Sequence, residues 1–347
     1  MKAQLLFAAA LALSVQARAE TELTCEPLTP RARSIKISRM QPLRRGKSWL
    51  EGSPKSVVLV TCDLRGMKTE ESEYDGKSLR LKTSFSYKEK EEARALCDTL
   101  KSEEKLTTTF SGEARSSLDD FCRRNKKKDF GAALVYDISP SNSDLSPKTA
   151  DPAQGQARES ARRPMRQMFR LYNARGFVTE ELSFDTGMNL ETHTVNVYDK
   201  ANNLTETTVL DFEDRQLRRE TIARDKKTAS RTRSAYGESN ELRKKTVYED
   251  REDGTLRRET RTEYDSGEQV ITRSEVYCDG KGHYQKELVF DADSPEPARE
   301  FLYEYALDGK GNWVQERKAR VIIYNGNRIP DTQYAPEISK REIQYYQ

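Results

Sequence analysis

The sequence predicts a mainly β protein: a small α+β domain at the N-terminal end, then a repetitive antiparallel β-hairpin meander that forms an open or curved sheet. Three observations lead there. Aromatic residues followed by turns rich in Asp, Asn and Gly return throughout the second half. The stretches between them alternate with period two, and four of the five cysteines precede that half. Hairpin turns need positive φ, which costs Gly and Asn least.

The chain opens Met1-Lys2, continues with an apolar run from Ala3 to Val15, and reaches Gln16-Ala17-Arg18-Ala19-Glu20. A charged start, a run too short to span a bilayer and small residues before Glu20 predict a secretory signal peptide over residues 1–19. No Cys follows the expected cut, so no lipid anchor is implied, and no later stretch approaches the roughly 20 apolar residues of a membrane helix. The expectation is a periplasmic or secreted chain without a transmembrane segment. Removing Lys2 and Arg18 lowers the basic count from 60 to 58 against 57 acids, a net charge of about +1. Such a balance leaves no basic field for nucleic acid.

Residues 20–138 read as the α+β domain. SIKIS and SVVLVTCDL are strand-like, and in SLRLKTSFSY Leu79, Leu81, Thr83 and Phe85 share a face. Ser86 to Glu89 resembles a capping box before a helix in which Ala93, Leu96, Cys97 and Leu100 form one apolar stripe. A second short helix carries Leu118, Phe121 and Cys122, and FGAALVYDI is a further strand. Two helices each presenting a Cys favour a Cys97–Cys122 disulfide, leaving Cys25 with Cys62, among three possible connectivities. The basic run RRNKKK, residues 123–128, reads either as a contact for an anionic surface or as cations complementing a helix C-terminus; the second reading needs no ligand and is preferred. Residues 139–166, rich in Ser, Pro, Asp, Gln and Ala, read as a flexible linker.

From residue 167 to 347 the phrase repeats: VYDKANNL at Tyr198, EYDSGEQV at Tyr264, VYCDGKGHY at Tyr277, EYALDGKGNW at Tyr305. In LRRETRTEY one side carries Arg258, Thr260, Thr262 and Tyr264, the other Arg257, Glu259, Arg261 and Glu263. Neither is the continuous apolar side of a lipid-facing strand. Charged and Thr pairs across strands would instead share the stabilisation with aromatic and aliphatic residues beside each turn.

The Tyr198-Asp199 and Tyr264-Asp265 turns and the DGKGNW segment from Asp308 to Trp313 resemble the YD repeats of bacterial RHS-type proteins. That resemblance implies hairpin arrays at the cell envelope, some members enclosing toxins and some associated with carbohydrate. The units here are irregular and mostly lack the family's Gly-Arg-Leu after the turn.

Motifs that carry chemistry are scarce. His193 and His283 sit in charged strand contexts, and neither a zinc spacing nor a phosphate-binding Gly loop is present. Asp308 to Asn312 begins like a calcium loop, but Lys310 and Trp313 occupy positions that need a ligand and a Gly. Cys278 is the odd cysteine, either a free thiol or an intermolecular link. The expectation is therefore a non-enzymatic envelope protein without metal or cofactor, presenting Tyr303, Tyr305 and Trp313 to a glycan or an envelope protein. An envelope polysaccharide or peptidoglycan hydrolase, and a scaffold or cargo component of a secretion or toxin system, are the alternatives.

Overall fold

The computed structural model describes residues 23–26, 28–102, 120–138, 165–187, 189–292, 294–324 and 327–347. The expected signal peptide, nearly all of the linker and the first part of the second helix lie outside the described residues.

Strands β1 (Ala32–Arg45) and β2 (Ser48–Cys62) form a long hairpin, and β3 (Lys68–Asp75) and β4 (Ser78–Glu89) extend the meander. Helix α1 (Lys90–Ser102) follows, and β5 (Asp129–Ile138) returns beside β4. No capping box starts the helix: the strand runs on through Glu89, and the chain breaks direction at Lys90 with φ +46°. The meander continues through β6 (Arg166–Tyr172), β7 (Val178–Phe184), β8 (Leu190–Tyr198), β9 (Leu204–Leu210), β10 (Gln216–Asp225) and β11 (Ser230–Tyr236). It then passes through β12 (Leu242–Asp250), β13 (Leu256–Tyr264), β14 (Val270–Cys278), β15 (Tyr284–Asp291), β16 (Arg299–Leu307) and β17 (Trp313–Tyr324). The short β18 (Asn327–Pro330) and β19 (Glu337–Tyr345) complete the chain.

Each strand up to β17 pairs antiparallel with the next, and the sheet closes through β19. Strand β19 pairs with β17 on one side and β1 on the other, setting Ile35 opposite Ile343 and Lys36 opposite Glu342. Of the 19 strands among the described residues only β18 stands outside the ring, hydrogen-bonded to β17 alone, so eighteen strands make a closed antiparallel barrel. Two expectations are corrected here. The sheet is closed rather than open or curved, because the two ends of the chain are complementary in register. There is also no separate α+β domain: β1 to β5 are five of the barrel's own strands, continuous with the repeats through the β5–β6 pairing.

The N-terminal seam is reinforced. A disulfide joins Cys25 to Cys62, the Tyr346 amide donates to the Arg31 carbonyl, and the Arg341 guanidinium grips Glu26 at 2.6 and 3.0 Å.

Following the register around the ring separates two faces. One carries Lys36, Arg219, Lys245, Arg258, Glu275 and Glu342; the other carries Glu220, Arg233, Glu259, Arg261, Glu287 and Lys318. A basic residue facing the middle of a bilayer costs about 2–4 kcal/mol, so neither face provides a lipid-facing band. No helix among the described residues is long and apolar enough to cross a membrane.

Continuous apolar packing concentrates at β5 to β8. Helix α1 lays Ala93 and Cys97 over Phe130, Phe169, Leu182 and Phe184, with Phe121 and Cys122 alongside and a Cys97–Cys122 disulfide between them. The rings form a chain, Phe121 to Phe130 at 5.6 Å, Phe130 to Phe169 at 6.3 Å and Phe169 to Phe184 at 6.0 Å. Ala133 and Val135 point to the opposite face, against Leu23 and Met168. Being covered on both sides explains why β5 reads as an unbroken apolar run.

Candidate functional site

Several turns look like ligand loops in the sequence. At Asp308 the carboxylate accepts the amides of Lys310 at 2.9 Å and Asn312 at 3.0 Å, while the Asp308 amide donates to the Asn312 carbonyl at 2.8 Å. Gly311 takes φ +86°, which closes the loop. The same set of bonds recurs at Asn173, Asp199, Asp211, Asp265 and Asp279. Asp308 also accepts the Tyr345 hydroxyl, and Asn312 donates to that oxygen at 2.7 Å and to the Thr29 carbonyl at 3.1 Å. These groups are spent on turning the chain and tying the turn to the seam. No cluster of His, Cys, Asp and Glu suited to a metal ion occurs among the described residues.

Beside this turn, strands β13 to β17 and β19 build an aromatic and ionic face. The register lines up Glu259, Val276, Glu287 and Phe301 across four strands. Glu259 and Glu287 are only 5% and 6% exposed, so each needs partners. Glu259 accepts the Arg261 guanidinium at 2.6 Å and the Tyr284 hydroxyl at 2.9 Å. Glu287 accepts the Tyr303 hydroxyl at 2.7 Å and the Lys318 ammonium at 2.8 Å. Burial alone would raise Glu287, but the bonds from Lys318 and Tyr303 outweigh it and hold the carboxyl below the usual carboxylate range. Burial together with hydrogen bonds to Glu287 and Glu316 pushes the Tyr303 and Tyr305 phenols up.

The three aromatic residues expected to bind are brought together. Tyr303 and Tyr305 lie parallel, 7° apart with centroids at 6.5 Å; Tyr305 meets Trp313 edge-on at 6.4 Å, and His283 lies 5.3 Å from Tyr305. Tyr284 continues the row at 5.6 Å from Tyr303. Trp313 is covered on one side by the Arg341 guanidinium at 3.4 Å. Of the remaining sequence candidates, His193 contacts Glu180 at 3.0 Å on the other face, near Arg124; Cys278, by contrast, belongs to the aromatic face, paired with Tyr284 across β14 and β15, and is buried as a free thiol that burial pushes up to about 11. Within RRNKKK, Arg123 and Arg124 pair with Asp120, while Asn125 is buried and bonds the Phe121 carbonyl. The sequence reading missed Glu259, Glu287 and Lys318. Their signal was faint: charges at every second position in strands whose neighbours carry the complement.

No known family matches the chain, and no curated protein does. Among solved structures it is similar to a porin-like protein from Bacteroides uniformis, at 10% identity and a TM-score of 0.39, covering 92% of this chain and 99% of that one. TarM aligns at 9% identity and a TM-score of 0.21 over 31% of this chain and 19% of its own. The Photorhabdus luminescens Tc holotoxin pore aligns at 13% identity and a TM-score of 0.21 over 82% and 14%. The barrel's closure rests on its strand pairing, not on these likenesses. The resemblance to YD repeats of RHS-type proteins is thereby corrected. No family match supports it, the sheet closes on itself, and the shared phrase is turn chemistry: Asp63 accepts the amides of Arg65 and Met67 at 2.9 Å in the same way, far outside the repeat half.

Proposed function

We propose that this chain is a non-enzymatic protein of the bacterial cell envelope, in which a closed sheet presents the row Tyr303, Tyr305 and Trp313 to a glycan. The observation that carries the reading is the fixed geometry of the row. Parallel tyrosines whose hydroxyls are committed to Glu287 and Glu316 stand beside Trp313, and the Glu287 carboxylate is already neutralised by Lys318. Rings immobilised before binding lose little freedom when a sugar stacks on them. The export pattern of the first residues and the two disulfides support an envelope or secreted location.

The hydrolase alternative is less well supported. A glycosidase needs one carboxyl raised to act as acid, whereas Glu287 is held below the ordinary range and Glu259 is locked to Arg261. A glycan array with the mature protein tests the proposal. Signal on one glycan class should fall at least about ten-fold in Tyr303→Ala/Tyr305→Ala, the scale of losing two stacking contacts. A blank array, with a specific envelope protein retained in a pull-down, would replace the glycan by a protein partner.

A further inference from the structure

The barrel's two rims differ. Strand β1 pairs with β19 with Met40 opposite Ile338, and β17 pairs with β19 with Lys318 opposite Glu337. The β1–β2 hairpin beyond Met40 and the β17–β18 hairpin beyond Lys318 therefore project from one rim, on either side of the start of β19. They are tied together: the Trp49 indole, one pair from the tip of the first hairpin, donates to the Thr332 carbonyl just after β18 at 3.0 Å, and Glu51, nearer the base, pairs with Lys340 of β19 at 2.6 Å.

Each projection carries a directly opposed aliphatic pair facing water. Leu43 is opposite Leu50, at 55% and 45% exposure, and Ile322 is opposite Ile329, at 42% and 37%. The charge is one-sided as well. Residues 40–50 hold Arg44, Arg45 and Lys47 and no acid, in a chain whose cations are otherwise largely matched by carboxylates across strands. The next acid, Glu51, is taken by Lys340. Arg44 caps the Gly46 carbonyl and covers the Trp49 ring at 5.7 Å, which leaves its charge at the tip.

We infer that these two projections, standing beyond the acidic turns of the same rim, dock on a bilayer leaflet carrying anionic phospholipid, with the leucine and isoleucine pairs entering the headgroup boundary and Arg44, Arg45 and Lys47 meeting phosphate. Aliphatic tips flanked by cations and a Trp match the interfacial zone, where apolar burial and attraction to anionic lipid add. Two narrow projections offer little area to a protein partner, and a second copy would bring the same three cations against these.

The test is vesicle flotation of the full chain with phosphatidylcholine vesicles and with phosphatidylcholine/phosphatidylglycerol vesicles. Binding is expected to the anionic vesicles only, weakening as salt rises. Arg45→Gln/Lys47→Gln should lower partitioning roughly 25-fold, at about five-fold for each cation near an anionic surface. Leu43→Ser/Leu50→Ser should lower it by at least about ten-fold per leucine. Leu64→Ser, 66% exposed on the opposite rim, should leave it unchanged. Both disulfides and an unaltered melting curve establish that each variant is folded. Absence of binding to either vesicle, equal binding to both, equal loss in Leu64→Ser, or a dimer dissolved by Leu43→Ser/Leu50→Ser without vesicle binding would each overturn the proposal.

Discussion

Replacing Lys318 by Met removes the cation that neutralises Glu287 while keeping an apolar stem against Phe301, whose ring lies 4.5 Å from the ammonium. The side chains of Lys318 and Glu287 are 20% and 9% exposed, so the pair is mostly screened from water. Breaking a fully buried pair costs about 3–5 kcal/mol. The partial exposure of Lys318 discounts this to about 2–3 kcal/mol at pH 7. The sign with pH follows from the depressed carboxyl. In the wild type Glu287 titrates below its unfolded value of about 4.3, so its stabilisation is present above that value and is lost as pH falls through the folded pKa. In Lys318→Met the depression is relieved, and Glu287 can be buried neutral once protonated. The deficit should therefore be largest at pH 7 and should shrink below about pH 4. Urea unfolding of both proteins at pH 7 and pH 3.5, with disulfides intact, measures it. An equal deficit at both pH values, or one within about 0.5 kcal/mol of zero as for an exposed pair, would refute the reasoning.

Other perturbations test other parts of the fold. Cys25→Ala/Cys62→Ala opens a loop of 37 residues and should cost about 4 kcal/mol on the loop-entropy scale, read from urea midpoints. Asp63→Ala strips the acceptor from two turn amides and should cost about 1–2 kcal/mol; a loss no larger than that of an exposed substitution would show that the turn does not rely on it. Cys278, buried and pushed up to about 11, should resist iodoacetamide at pH 8 in the native protein and react promptly in urea, as followed by mass spectrometry.

The turns were the most legible part of the sequence, because their chemistry is local. Asp followed three residues later by Gly or Asn announces an Asx-capped loop wherever it occurs, and strand lengths follow from the spacing of these loops. DLRGM at 63–67 carries the same grammar, yet its position among cysteines and a predicted helix placed it in a separate domain. The helix stripe of Ala93, Leu96 and Cys97 was also readable, and in the structure it covers Phe130 and Phe169. Closure was not readable. The Lys36–Glu342 contact joins residues 306 apart, and nothing local to Ser-Ile-Lys-Ile-Ser distinguishes a seam strand from an edge strand. For the binding face, alternation gave the side on which Tyr303 and Tyr305 lie. The pairing of Glu259 with Tyr284 and of Glu287 with Lys318 depends on the register between strands, which bulges beside the turns reset each time.

Closure of the barrel between β1 and β19 is the claim on which the rest depends. The double substitution Lys36→Cys/Glu342→Cys, made in a Cys278→Ser background, tests it most directly, since these side chains face each other at 2.7 Å across the seam and are exposed to oxidant. The closed barrel predicts a high yield of the new cross-link under mild oxidation in this register-matched pair, and little in Lys36→Cys/Glu337→Cys, where the second thiol sits five positions away along β19. Failure of the register-matched pair to cross-link, or equal yields from both pairs, would contradict the closed barrel.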